Sequence, residues 1–156
     1  MNRFAFLNHY LDARLVYEHI RLPGLQRISQ FTLKRLITYL PPYRYLKIGP
    51  VHSQSGAQAI GIGIACPLMP EHFVTLKPRR VLRKLVAAAK IGERFGAKII
   101  GLGGFTSVFG NEGLEIAQYL RTPVTSGNTY TAALAIQGLA KAADILGYHL
   151  SECQVA

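Results

Sequence analysis

Between Pro78 and Ser107 the chain runs through a helix, a strand and a glycine-rich loop with almost nothing between them. Pro78 suits a first helical turn, where its missing N–H is not needed. Val81, Leu82, Leu85, Val86, Ala89 and Phe95 then recur at helical spacing as far as Gly96, a residue able to close a helix C-terminus. Lys98 to Leu102 is a short apolar run that enters Gly103-Gly104-Phe105-Thr106-Ser107, so a strand gives way to a loop. A helix that hands over directly to a strand belongs to an α/β layer, in which helices cover the sheet that holds the strand.

The flanking sequence fits that frame. Tyr43 to Val51 and Gln58 to Cys66 are β-prone, and the Ser55-Gly56 turn signal between them makes a hairpin. In Ile60-Gly61-Ile62-Gly63-Ile64 one strand face is aliphatic, and the other is bare enough to admit either a packed neighbour or a ligand. Leu11, Leu15, His19 and Leu22 share a helical stripe ended by Pro23-Gly24, and Ile28, Phe31, Arg35 and Leu36 share a second, ended by Pro41-Pro42. A weaker helix is expected near Glu112 to Leu120. After Pro123 comes a stronger one whose stripe is Ala132, Ile136, Leu139, Ala143 and Leu146, with Gly147 as its stop and Asn128 or Thr129 as its cap. The fold expected is α/β: a single three-layer-type domain over residues 1–151, with a small, mostly parallel sheet plus a β-hairpin, flanked by helices. Cys153-Gln154-Val155-Ala156 reads as the start of a further strand, so residues 152–156 are expected to open another domain.

A chain of 156 residues, 49% hydrophobic and 17% charged, can bury one globular core, which excludes a disordered chain. Two thiols, Cys66 and Cys153, are too few for a disulfide scaffold and lack zinc-site spacing, which favours a reducing compartment. Phe4 to Leu7 is too short for a signal-peptide core, and no stretch reaches the roughly 18 apolar residues of a membrane span. A cytoplasmic chain is expected. Charge is uneven: residues 1–98 hold 16 Lys/Arg against 4 Asp/Glu, and residues 99–156 hold 2 against 4. One surface therefore suits an anionic partner, and Arg79, Arg80, Arg83 and Lys84 are expected along one side of their helix.

Two segments are candidates for binding chemistry. Gly103, Gly104, Phe105, Thr106 and Ser107 follow a strand, and Thr125, Ser126, Gly127, Asn128 and Thr129 open a helix. Both can offer backbone N–H groups and small hydroxyls to an anion or a carbonyl, or can simply cap their own turns. Gly101-Leu102-Gly103-Gly104-Phe105-Thr106 is a poor dinucleotide fingerprint, because Thr106 holds the sixth position and Arg121 stands about where an acidic residue is needed. Cys66, with His72 nearest in sequence, is either a thiolate nucleophile or a buried thiol. The five histidines show no ligand spacing, so no metal site and no complete catalytic set are expected.

Gly101-Leu102-Gly103-Gly104-Phe105-Thr106-Ser107, together with Thr125-Ser126-Gly127-Asn128-Thr129-Tyr130-Thr131-Ala132, resembles the long-chain acyl-[acyl-carrier-protein] reductase family. The hairpin, Cys66-Pro67-Leu68-Met69-Pro70-Glu71 and the basic helix fall in matching order from about Tyr43. The resemblance implies an N-terminal, substrate-side domain of a shikimate-dehydrogenase-like oxidoreductase, inactive alone. A C-terminal Rossmann domain would bind NADPH, and the family's acyl-accepting cysteine has no counterpart here. It implies reduction of a fatty acyl thioester, on acyl-carrier protein or CoA, to an aldehyde. The two segments would line the substrate site, and Arg79, Arg80, Arg83 and Lys84 would meet the acidic carrier. A substrate domain for a small polar molecule and a basic nucleic-acid-binding module are the alternatives. Tyr39, Tyr43 and Tyr45 beside Arg44 and Lys47 are the aromatic-basic cluster the nucleic-acid reading would use.

Overall fold

A computed structural model describes residues 2–20 and 24–154. Leu22 and Pro23 of the first helical stripe, and Val155 and Ala156 of the expected terminal strand, lie outside the described residues. The elements run β1 (Asn2–His9), α1 (Ala13–His19), α2 (Gln30–Ile37), β2 (Tyr43–His52), β3 (Gln58–Cys66), α3 (Pro70–Thr75), α4 (Pro78–Phe95), β4 (Ile99–Leu102), α5 (Phe105–Glu112), α6 (Leu114–Ala117), β5 (Val124–Thr125) and α7 (Asn128–Leu146). The fold is α/β, with a five-stranded sheet in the order β2-β3-β1-β4-β5. All neighbouring strands are parallel except the β2–β3 hairpin. The chain divides into two compact units, Met1–Ser126 and Gly127–Ala156.

The central strand is β1, a segment the sequence reading passed over as too short for a leader. Phe4 to Leu7 is apolar at every position although only one strand face is fully buried: Ala5 and Leu7 are buried, Phe4 is half-buried and Phe6 is exposed. Ala5 and Leu7 point toward α4 and join Ile62, Ile64, Ile100 and Leu102 in a core closed by Val81, Leu85, Ala88 and Ala89. Burying each of the larger side chains contributes about 1.5–3 kcal/mol. Gly92 lets α4 sit close to the sheet, since a Cβ there would lie 2.8 Å from that of Ala5. Gly96 ends α4 in the left-handed conformation, with φ +81°, as its position predicts.

On the opposite sheet face the bare strand positions are filled by aromatic neighbours. A Cβ at Gly61 would collide with the Phe4 ring, one at Gly63 would meet the Tyr45 ring at 3.0 Å, and one at Gly101 would meet Phe6 at 2.7 Å. The packed-neighbour reading of the Ile-Gly alternation therefore holds.

The first two helices lie where expected but bury other residues. Asp12 caps α1 by accepting from the amides of Arg14 and Leu15, and Ala13 and Val16 face inward while Leu11 is exposed. In α2 the buried pair is Leu33 and Ile37, and Phe31 and Leu36 are exposed. A second cluster of Tyr10, Val16, Leu33, Ile37 and Met69 joins these helices. The weak helix expected at Glu112 to Leu120 is reduced to the single turn of α6, because Gly110, Asn111, Glu112 and Gly113 all take positive φ just before it.

In the second unit, α7 is bounded by left-handed glycines at both ends. Gly127, not Asn128 or Thr129, holds the N-cap position, and Gly147 stops the helix as expected. Of the predicted stripe, Ala143 is buried and Ile136, Leu139 and Leu146 are exposed. No helix among the described residues is long and apolar enough to cross a membrane.

Candidate functional site

In a parallel sheet, ligands bind beyond the carboxyl ends of the strands. Here β1 ends at Asn8-His9, β3 at Ala65-Cys66 and β4 at Leu102, before Gly103-Gly104; Thr125 of β5 pairs beside Gly101. A cleft of ≈ 420 Å³ opens at this edge, lined by Asn8, His9, Tyr10, Leu11, Leu15, Tyr45, Ala65, Gly103 and Gly104.

Because strand side chains alternate, the last two residues of β1 serve opposite faces. His9 continues the buried Ala5–Leu7 row and sits among the rings of Phe73 and Phe105. Its Nδ1 lies 2.8 Å from the Tyr10 carbonyl, and its Nε2 accepts the Phe105 N–H at 3.0 Å. A carbonyl only accepts and an amide N–H only donates, so the ring proton is on Nδ1. His9 thus clamps the glycine loop and has no ring nitrogen to spare. Asn8 faces the other way. Its Nδ2 donates to Tyr45 Oη at 3.2 Å, and its Oδ1 occupies the space that a Gly103 side chain would need. Tyr45 falls at a register shift between Arg44 and Leu46, where the strand bulges opposite Gly63. Bulges re-aim side chains in this way beside functional clefts. At the cleft's inner wall the Tyr10 and Tyr43 hydroxyls hydrogen-bond to each other, and burial raises the Tyr10 phenol above its ordinary value.

The loop after β4 is less open to ligands than its composition predicts. Gly103 N–H donates to the Leu7 carbonyl and to Thr106 Oγ1, and Thr106 Oγ1 donates back to the Gly103 carbonyl. Thr106 N–H and Ser107 N–H return to the Gly103 and Gly104 carbonyls, and Ser107 Oγ also donates to Gly104 O. Only Gly104 N–H is left without a partner among the described residues. Gly103 and Gly104 therefore line the cleft, Phe105 is partly exposed beside it, and Thr106 is a fully buried staple. In the other segment, Thr125 lies in β5 and Ser126 follows it. Gly127, Asn128 and Thr129 belong to the second unit, where Thr131 caps back to the Gly127 carbonyl.

Cys66 is completely buried, which pushes its thiol up to about 12, with Lys84 pulling weakly the other way. His72 Nδ1 accepts the Met69 N–H, and burial lowers its pKa. A buried thiol, not a thiolate nucleophile, is what this environment supports.

The four basic residues do not form one free face. At 100° per residue they split into two i,i+4 pairs. Lys84 Nζ donates to the Ile37 and Thr38 carbonyls at the end of α2, and Arg80 donates to Thr38 Oγ1 and lies over the Tyr39 ring. Burial pulls Lys84 down to about 8. Arg79 and Arg83 instead line a groove of ≈ 870 Å³ with Leu82, Val86, Ala87, Lys90 and Tyr119. Sequence reasoning missed Asn8, His9 and Tyr10 as cleft residues, and placed Tyr45 only in the aromatic-basic cluster of the nucleic-acid alternative. The signal available for the first pair was an apolar run ending in Asn-His, which is what a buried strand looks like where it meets a cleft. No group of His, Cys, Asp and Glu able to hold a metal occurs among the described residues.

No family model matches the chain. It is 30% identical over 113 residues to the long-chain acyl-[acyl-carrier-protein] reductase of Synechococcus elongatus, covering 68% of this chain and 33% of that protein. It is also 30% identical over 95 residues to the aminotransferase PigE of Serratia sp., covering 61% of this chain and 11% of that one. The chain thus spans a third or less of the length of these relatives. The similarity is distant and supports an oxidoreductase-like reading at most.

Proposed function

We propose that this chain is the substrate-side α/β domain of an oxidoreductase that reduces a fatty acyl thioester, carried on acyl-carrier protein or CoA, to the aldehyde. The observation that carries the reading is the cleft at the strand ends. It is mostly apolar, with Leu11, Leu15, Tyr10 and Ala65 on its walls, and it is bounded by the glycine loop through which the chain resembles reductases. The distant similarity to an acyl-carrier-protein reductase points the same way.

NADPH, the hydride source such a reaction needs, does not fit the glycine loop after β4. A pyrophosphate requires a cradle of open amides, and those of Gly103, Phe105, Thr106 and Ser107 are all engaged within the protein. In this reading the cofactor belongs to the Rossmann domain that the family resemblance implies. The contribution of this chain is to hold the acyl chain and to place its carbonyl at the strand ends. An acidic carrier would dock along Arg79 and Arg83, joined by Lys90, and not along Arg80 and Lys84, which hold α2.

The test is an assay of the whole gene product. It should oxidise NADPH when given acyl-carrier-protein thioesters. Exchange of Arg79 and Arg83 together for Glu should raise KM for the carrier-bound substrate about tenfold, an effect that fades with salt. Absence of cofactor turnover with any thioester or ketone would overturn the reading.

A further inference from the structure

The cleft contains a chemical bias that neither the sequence motifs nor the relatives assign. Among its lining residues there is no Asp, Glu, Lys or Arg, and the one histidine has both ring nitrogens engaged. A carboxylate or phosphate would enter without a countercharge, and an ammonium without an anion, at a cost of several kcal/mol for a desolvated ion. What the cleft does offer is neutral hydrogen-bond donors. An amide side chain has two N–H groups, and Asn8 gives one to Tyr45 Oη. The second remains, and so does Gly104 N–H on the facing loop.

We infer that Asn8 Nδ2 and Gly104 N–H bind the carbonyl oxygen of an uncharged acyl group whose chain lies along Leu11, Leu15 and Ala65. The inference rests on the functional reading above and specifies what it leaves open: the cleft selects a thioester or aldehyde carbonyl and rejects the corresponding fatty acid. The surroundings hold the donors in place. Tyr45 is a positioning residue. The bulge at β2 lays its ring over Gly63, and its oxygen fixes the Asn8 amide plane. Gly103 leaves room for Asn8 Oδ1, and Gly104 takes φ +56° with His9 Nε2 2.6 Å from where a Cβ would be, so neither glycine can be replaced without moving a donor.

The experiment is calorimetric titration of the 156-residue chain with three ten-carbon probes: S-decanoyl-N-acetylcysteamine, the thioether S-decyl-N-acetylcysteamine, and decanoate. The thioester should bind about tenfold tighter than the thioether, as one to two neutral hydrogen bonds allow, and decanoate no tighter than the thioether. Asn8→Ala should bring the thioester-to-thioether ratio close to one. Tyr45→Phe keeps the ring and should lower the ratio about threefold. If Asn8→Ala does not fold, Tyr45→Phe decides the matter, and an unchanged ratio overturns the inference. Equal affinity of the unaltered chain for thioester and thioether overturns the carbonyl site but leaves the cleft as an acyl-chain site. Failure of both to bind removes the functional reading itself.

Discussion

The two faces of the sheet solve the same packing problem with different residues. Toward α4, the strands present Ala5, Leu7, Ile62, Ile64, Ile100 and Leu102, all buried under a helix that contributes Val81, Leu85 and Ala89. On the other face Phe4, Phe6 and Tyr45 lie across Gly61, Gly63, Gly101 and Gly103. Branched aliphatics interdigitate with a helix, and their cost on truncation is that of a closed cavity. Flat rings over glycines leave part of each ring toward solvent, as with Phe6 at 40% exposure, and need no helix to cap them. The cleft follows the second pattern: Asn8 and Tyr45 project into it from the glycine face, and His9, on the aliphatic face, holds the loop.

Neighbouring substitutions in β1 give the largest contrast. Leu7→Ala removes a fully buried side chain beneath α4 and should cost about 3–4 kcal/mol, read as a lower urea midpoint with m unchanged. Phe6→Ala, one residue away on the other face, should cost about 1 kcal/mol despite the larger side chain, because much of the ring already meets water. Equal losses at the two positions would break the comparison.

Glycine replacements sharpen it. Gly92→Ala places a methyl 2.8 Å from the Ala5 Cβ, and both atoms are fixed by backbone. Even after the helix-propensity gain of about 1 kcal/mol, a net loss of about 1–2 kcal/mol is expected, and Ala5→Gly in the same chain should restore most of it. Gly61→Ala meets only the Phe4 ring, which can turn outward, so the loss should be about 0.5–1 kcal/mol and should vanish in a Phe4→Ala background. A Gly61→Ala penalty that persists without the Phe4 ring would mean that backbone, not the aromatic cover, demands the glycine.

The aliphatic face was the legible one. Val81, Leu85 and Ala89 repeat with a helical period, and Gly96 marks the end, so α4 and the strand after it follow from spacing alone. The hairpin was equally plain from Tyr43 and Gln58 onward. β1 was not, because aromatic residues laid over glycines on one face and aliphatic ones buried on the other leave an apolar run with no polar alternation, and Phe4-Ala5-Phe6-Leu7 offers no turn signal before it. Losing β1 meant losing Asn8 and His9, so half of the cleft was invisible. The glycine loop was located correctly, but the hydrogen bonds of Thr106 and Ser107 back onto Gly103 and Gly104 are tertiary detail that composition does not encode. In α2, Phe31 and Leu36 outranked Leu33 and Ile37 by size and pattern, yet docking against Tyr10 and Met69 selected the latter pair.

Two opposing effects lie under the aliphatic face, where Cys66 and Lys84 shift in opposite senses. Lys84 falls to about 8 from an ordinary 10.5, so between those values the unfolded chain holds more protons than the folded one and stability rises with pH. Cys66 rises to about 12 from 9, so above pH 9 the unfolded chain has lost a proton that the folded one keeps, and stability falls. The two slopes oppose each other between pH 9 and 10.5. What remains is a gain of about 1 kcal/mol from pH 8 to 9 and a decline beyond 10.5. In urea midpoints measured across that range, Cys66→Ala should lessen the decline, the remainder belonging to the buried Tyr10 phenol, which burial also raises, and should leave the gain. Lys84→Met should flatten the gain, while lowering stability at every pH through loss of its bonds to Ile37 and Thr38. A decline undiminished by Cys66→Ala would assign the alkaline limb to the Tyr10 phenol alone.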